Sequence, residues 1–179
     1  MKYKEQRVGV FIDVQNLYHS AKHLFQARVN FKELVRNLVA GRRLIRAIAY
    51  VVQAEGLLTS PEVGASIVPK GREAAFFDAL KQAGIELRMK DIQIFPGGMK
   101  KADWDVGMAV DAIRMSDFLD AVILVSGDSD FVPLIDYLKW GKGRVVEVAA
   151  FTRSASSKVK EVADEFIGIE DLPKILIKK

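Results

Sequence analysis

The residues best placed for chemistry are carboxylates that follow abruptly on apolar runs. Ala121-Val122-Ile123-Leu124-Val125 is apolar without alternation, and Ser126-Gly127-Asp128-Ser129-Asp130 follows directly. A short continuous run of this kind predicts a strand buried on both faces. A helical stripe of Phe131, Leu134, Ile135 and Leu138 begins after it, with Pro133 suited to the first turn. Val8-Gly9-Val10-Phe11-Ile12 ends the same way, at Asp13, before Val14-Gln15-Asn16 and a second helical pattern. Ser and Asp before a helix are also ordinary caps. Two strands that both end in acid can be sheet neighbours about 4.8 Å apart, however. Carboxylates that close need a cation or a proton.

The candidate cluster is Asp13, Asn16, Asp105, Asp128 and Asp130. All are oxygen donors, which suits Mg²⁺ or Mn²⁺ better than zinc or copper. A site of this kind commonly serves phosphate chemistry. Asp105 and Asp111 share one predicted helix, but six residues of separation is about 240° and 9 Å. They do not both point straight at one ion, so Asp105 is the ligand and Asp111 ranks second. Asp111 also precedes Arg114 by three, the spacing of a surface pair. Asp103 is expected to cap that helix.

With 179 residues, half of them hydrophobic, the chain can form one domain with a substantial core. It has no cysteine, which excludes disulfides, Cys-ligated zinc and Cys nucleophiles. His19 and His23 have a metal-compatible spacing, but no Glu follows His19 and they read as an exposed helix edge. The net charge of +4 permits a polyanionic partner. Lys70, Arg72, Lys100, Lys101, Arg114, Arg153, Lys158 and Lys160 lie mostly in loops or first helical turns. Each alone is a solvated surface residue; as a set they could hold a nucleic-acid backbone. Trp104 and Phe95 could stack on a base, or pack in the core. The opening MKYKEQR is too polar for a signal peptide, and no run approaches the ~18 apolar residues of a membrane span. The expectation is a cytoplasmic protein with no membrane association.

Stepping along the chain, strands are expected at residues 7–12, 44–52, 85–94, 121–125 and 144–149. Helices are expected at 15–26, 31–40, 71–83 and up to 115, and after Asp130. A last helix uses Ala155, Val159, Val162, Ala163 and Phe166 as its stripe. Residues 53–69 read as a long loop, 95–98 as a turn, and 167–179 as a short strand or an arm. The alternation implies a mainly parallel sheet with helices on both faces.

Phe11-Ile12-Asp13-Val14-Gln15-Asn16-Leu17-Tyr18 resembles the opening motif of the NYN domain family, in particular its LabA-like bacterial branch. Asp105-Val106 with Asp111 is similar to the family's middle motif, and Ser126 to Leu134 resembles its third. The segment from Val146 to Phe166 also resembles that branch, so the likeness spans nearly the whole chain. It implies a PIN-like three-layer α/β/α sandwich over residues 1–179, with 167–179 as a C-terminal arm. It also implies a metal-dependent ribonuclease site at the carboxyl edge of the sheet. Asp13, Asp105 and Asp128 would bind Mg²⁺ or Mn²⁺, Asp130 and Asn16 would complete the site, and Ser126 would lie beside it.

The expected function is hydrolysis of RNA phosphodiester bonds by a metal-activated water at this aspartate cluster. Lys100, Lys101, Arg114, Arg153 and Lys158 would hold the RNA, and a homodimer is compatible with the sequence. The alternative is a non-catalytic RNA-binding or regulatory module that keeps the acidic site. An aspartyl phosphatase would want an acid where Gln15 stands, and no G-x-G-x-x-G follows the first strand to bind a dinucleotide.

Overall fold

The two apolar runs that end in acid form adjacent strands at the centre of one sheet. In the computed structural model, which describes residues 2–53, 73–91, 93, 94, 100, 101 and 104–178, β1 is Arg7–Asp13. α1 (Val14–Phe25), β2 (Ala27–Val29), α2 (Phe31–Val39) and β3 (Arg43–Gln53) follow. Next come α3 (Glu73–Gln82), β4 (Glu86–Asp91) and a small antiparallel pair, β5 (Gln93–Ile94) with β6 (Lys100–Lys101). α4 (Asp105–Met115), β7 (Ala121–Val125), α5 (Val132–Asp136), β8 (Val145–Ala150), α6 (Ser157–Val162), β9 (Glu165–Gly168) and β10 (Leu176–Lys178) complete the chain.

The main sheet has six strands in the order β4-β3-β1-β7-β8-β9, and every pairing is parallel. The chain winds outward from β1 through β3 to β4. It then returns beside β1 at β7 and winds the other way through β8 to β9. That reversal makes the β1/β7 crevice the topological switch point, where ligands of open α/β sheets bind.

Alternation along the strands sorts the core into two layers. Val8, Val10 and Ile12 of β1, with Ile123 and Val125 of β7, face α1, α2 and α3. Phe11, Val122 and Leu124 face α4, α5 and α6. The architecture is therefore the expected α/β/α sandwich.

Several elements differ from expectation. The last helix stops at Val162, and Phe166 belongs to β9. Its apolar spacing fits a helix, but pairing with β8, Val148 opposite Phe166, prevails. β2 falls between the helices expected at 15–26 and 31–40, and its three residues carry too little period to register in the sequence. It pairs antiparallel with β10, so the segment 167–179, expected as a short strand or an arm, carries a 3₁₀ turn at Ile169–Asp171 and then a short strand. The strand expected over 85–94 divides into β4 and β5. The N-cap of α4 is Trp104, without a side-chain capping bond; Asp103 lies outside the described residues, as do 54–72 (including Lys70 and Arg72) and 95–99, the loop and the turn. The helix after Asp130 is composite: a 3₁₀ turn Ser129–Phe131, then α5, then a π-helical turn Tyr137–Gly141.

Candidate metal centre

Asp13 ends β1 and caps α1. Its Oδ1 accepts the Asn16 N–H at 3.0 Å. Asp128 follows β7 and caps the next 3₁₀ turn, its Oδ1 accepting the Asp130 N–H at 3.0 Å. The capping role of both carboxylates is thus real. Ser126, buried between them, joins the two strand ends: its hydroxyl donates to Asp13 Oδ2 at 3.2 Å and its oxygen accepts the Asp128 N–H at 3.3 Å. Asn16 Oδ1 accepts the Gly127 N–H at 3.3 Å. The strand ends are therefore cross-linked by side chains as well as by the sheet, in which Ile12 lies opposite Val125.

Gly127 is needed for close approach. A Cβ there would stand 2.8 Å from Ala155 Cα, a backbone atom that cannot swing aside. The Gly127 carbonyl also accepts the Ser156 N–H at 3.0 Å. The loop between β8 and α6 thereby packs directly on the acidic turn, bringing exposed Arg153 and Lys158 to its neighbourhood.

Asp105 arrives from the opposite direction, in the first turn of α4. Acceptor oxygens of Asp105, Asp128 and Asp130 all lie within 4.8 Å of one another. Asp105 and Asp128 are half-buried and Asp130 is exposed. Asp13 stands outside that group of three and connects to it through Ser126. Burial raises the Asp13 carboxyl above the ordinary carboxylate range; the Asn16 N–H and Ser126 hydroxyl oppose the shift, and the charge of Asp128 adds to it.

The donor set fits a hard divalent cation. Three carboxylates converge, no His or Cys joins them, and one side open to solvent leaves room for the waters that Mg²⁺ retains. The two histidines are exposed on α1, and His19 makes an edge contact with Tyr18 at 5.8 Å.

Asp111 faces elsewhere. Its Oδ2 accepts the Tyr50 hydroxyl at 3.0 Å and meets Arg88 Nε at 3.6 Å, in place of the surface pair with Arg114 that its spacing suggests. Burial is the main cause that holds the Tyr50 phenol above its usual range, with the Asp111 charge next. Sequence reasoning missed Tyr50 and Arg88. The available signal was a tyrosine inside an apolar strand, whose hydroxyl needs a partner when buried. Trp104 takes the packing role: its Nε1 donates to the Val51 carbonyl at 2.9 Å and its ring tilts against Tyr50 at 5.4 Å.

Of the residues expected to hold RNA, Arg114, Arg153 and Lys158 are exposed. Lys100 and Lys101 form β6, and their side chains lie outside the described residues, as does Phe95. Among the described residues no helix is long and apolar enough to cross a membrane.

The NYN domain family model matches residues 7–170. The chain belongs to the NYN domain family. This NYN domain is 23% identical to the low amplitude and bright protein LabA of Synechococcus elongatus, over 96% of this chain and 88% of that protein. It is also similar to the crystal structure of a protein of unknown function from Vibrio parahaemolyticus. There the identity is 25%, 99% of each chain is covered and the TM-score is 0.83. The three motifs that carry the resemblance lie at Asp13, Asp105 and Asp128, and the fold of this LabA-like NYN domain brings all three to one edge of the sheet.

Proposed function

We propose that this NYN domain is a metal-dependent ribonuclease that hydrolyses RNA phosphodiester bonds. The observation carrying the reading is the convergence of Asp105, Asp128 and Asp130 within 4.8 Å, beside the β1/β7 switch point of a chain in this family. Asp105, Asp128 and Asp130 would hold Mg²⁺ or Mn²⁺, with Asp13 next in reach. Such an ion supplies charge neutralisation at the phosphoryl oxygens and acidifies water. Ser126 and Asn16 position the acids: one bridges Asp13 to Asp128, and the other ties α1 to the Gly127 turn. Arg153 and Lys158 on one side and Arg114 on another hold the RNA backbone, with Lys100 and Lys101 in the same role.

One observation favours a second reading. Asp13 and Asp128 each commit an oxygen to a helix cap, which a non-catalytic RNA-binding module would retain without any metal. The test is cleavage of end-labelled single-stranded RNA in Mn²⁺ or Mg²⁺, against EDTA and against Asp105→Asn and Asp128→Asn proteins. Cleavage that needs the ion and both aspartates supports the ribonuclease. RNA binding indifferent to EDTA, with no cleavage, supports the module. Cleavage persisting in both variants rules out this site.

A further inference from the structure

A groove of about 500 Å³ leads away from the acidic centre between α4 on one side and α5 with its flanking turns on the other. Asp105 and Asp130 form part of its lining, so the groove and the carboxylate cluster share two residues. Beyond them the walls are apolar: Val106, Ala109 and Ile113 of α4 face Leu134 and Tyr137. The α-helical rise places Ile113 about 12 Å from Asp105. That length and volume suit a nucleoside-sized ligand.

The tyrosine is held in place. A Cβ on Gly141 would lie 3.0 Å from Tyr137 Cδ2 and 3.1 Å from Cε2, so the glycine backbone backs the ring closely. The π-helical turn Tyr137–Gly141, closed by Lys142 N–H on the Tyr137 carbonyl at 3.1 Å, brings the two together. Such turns recur at functional sites. Tyr137 remains 46% exposed and Val106 75% exposed, which leaves apolar surface open beside a charged centre.

We propose that this groove is a nucleobase subsite. The base adjoining the phosphate at the acidic centre lies on the apolar walls with its ring against Tyr137. The inference rests on the ribonuclease reading and narrows its substrate to RNA with an unpaired base at that position. A nucleotide joins a phosphate to a flat, largely apolar ring, and the groove joins the matching surfaces in the same order. An apolar peptide would match the walls but not the carboxylate end. Stacking on an aromatic side chain tolerates any base, whereas bases within an A-form helix are not available to side chains in this way.

The test uses protein with all its acidic residues intact in Mg²⁺ and strands with hydrolysis-resistant phosphorothioate linkages, which suppress turnover while keeping the metal ligands and every groove residue. The protein is titrated with a fluorescent single-stranded oligonucleotide, and with strands carrying one abasic position each, and read by anisotropy. One abasic position is expected to weaken binding about tenfold, the scale of one lost stack. Adding Tyr137→Ala weakens the intact strand by a similar factor and the abasic strand no further, while Tyr137→Phe retains binding. Adding Val106→Glu, at a site exposed enough to spare folding, also weakens the intact strand. Equal affinity for intact and abasic strands overturns the subsite, as does an absence of binding. The two readings separate: wild-type cleavage that ignores the abasic position rejects the groove and keeps the nuclease. Base-dependent binding without wild-type cleavage does the reverse.

Discussion

Replacing Asp128 with asparagine removes one of three charges whose oxygens lie within 4.8 Å of one another. At that spacing repulsion is on the order of 1 kcal/mol per pair in bulk water and about 3.5 kcal/mol at an effective dielectric of about 20. Two of the three residues are only half-buried and the third is exposed, which puts the effect near the lower figure. The amide keeps an oxygen to accept the Asp130 N–H, so the cap survives the substitution. Asp128→Asn is therefore expected to stabilise the metal-free protein by about 1–2 kcal/mol. The divalent ion reverses the order. At a concentration about 100 times its dissociation constant it stabilises the wild type by about 2.7 kcal/mol. For a chain of this size that raises the melting temperature by roughly 5–10 °C. The variant loses most of that response. The assay is thermal unfolding followed by circular dichroism in EDTA, Mg²⁺ and Mn²⁺ at matched ionic strength, since salt alone screens exposed charge. An unmoved wild-type midpoint in millimolar Mn²⁺, or an equal response in both proteins, refutes the metal centre.

Three further outcomes test how the fold supports the site. Arg42 and Glu147 are a buried pair with hydrogen bonds of 2.5 and 2.9 Å, and Lys2 Nζ lies 3.6 Å from the same carboxylate. Arg42→Met strands that carboxylate and is expected to cost roughly 3–5 kcal/mol in urea unfolding, most of it recovered by adding Glu147→Met. A loss below about 1 kcal/mol contradicts the pairing. Gly127→Ala drives a Cβ into the Ala155 backbone and is expected to cost about 1–3 kcal/mol and to lower RNA cleavage; unchanged melting and cleavage show that the loop yields freely. Hydrogen bonds from the Arg7 side chain, then from its backbone N–H, hold the Asp120 carboxyl down at about 2, below the ordinary 3.8. Because the folded value is the lower one, this contact stabilises the protein above the ordinary value and the benefit disappears as pH falls toward 2. The stability gap to Asp120→Asn narrows over the same range, and a carboxyl resonance titrating near its ordinary value contradicts the contact.

Much of the centre was legible before any coordinates. β1 and β7 are continuous apolar runs because both faces are buried, and an acid where such a run stops must lie at a sheet edge. That marks Asp13, Asp128 and Asp130 and allows β1 and β7 to be neighbours, whereas Asp105, at the start of a helix, is carried by the family resemblance. Short or composite elements were less legible. β2 has three residues and is stabilised by β10, far along the chain. Phe166 keeps a helical spacing but is held by strand pairing.

Local order alone determined which residues are acidic ends of buried strands and which apolar periods become helices, since both depend on neighbours within a few positions. Distance between remote residues belongs to the tertiary structure. Only the fold decided that Asp130 joins Asp105 and Asp128 within 4.8 Å while Asp13 reaches them through Ser126. It also decided that Asp111 turns to Tyr50, and that α4 and α5 leave an apolar groove beside the acids. Rotamers, strand register and the tilt of α4 set those distances, and each depends on packing between segments that the linear order keeps apart.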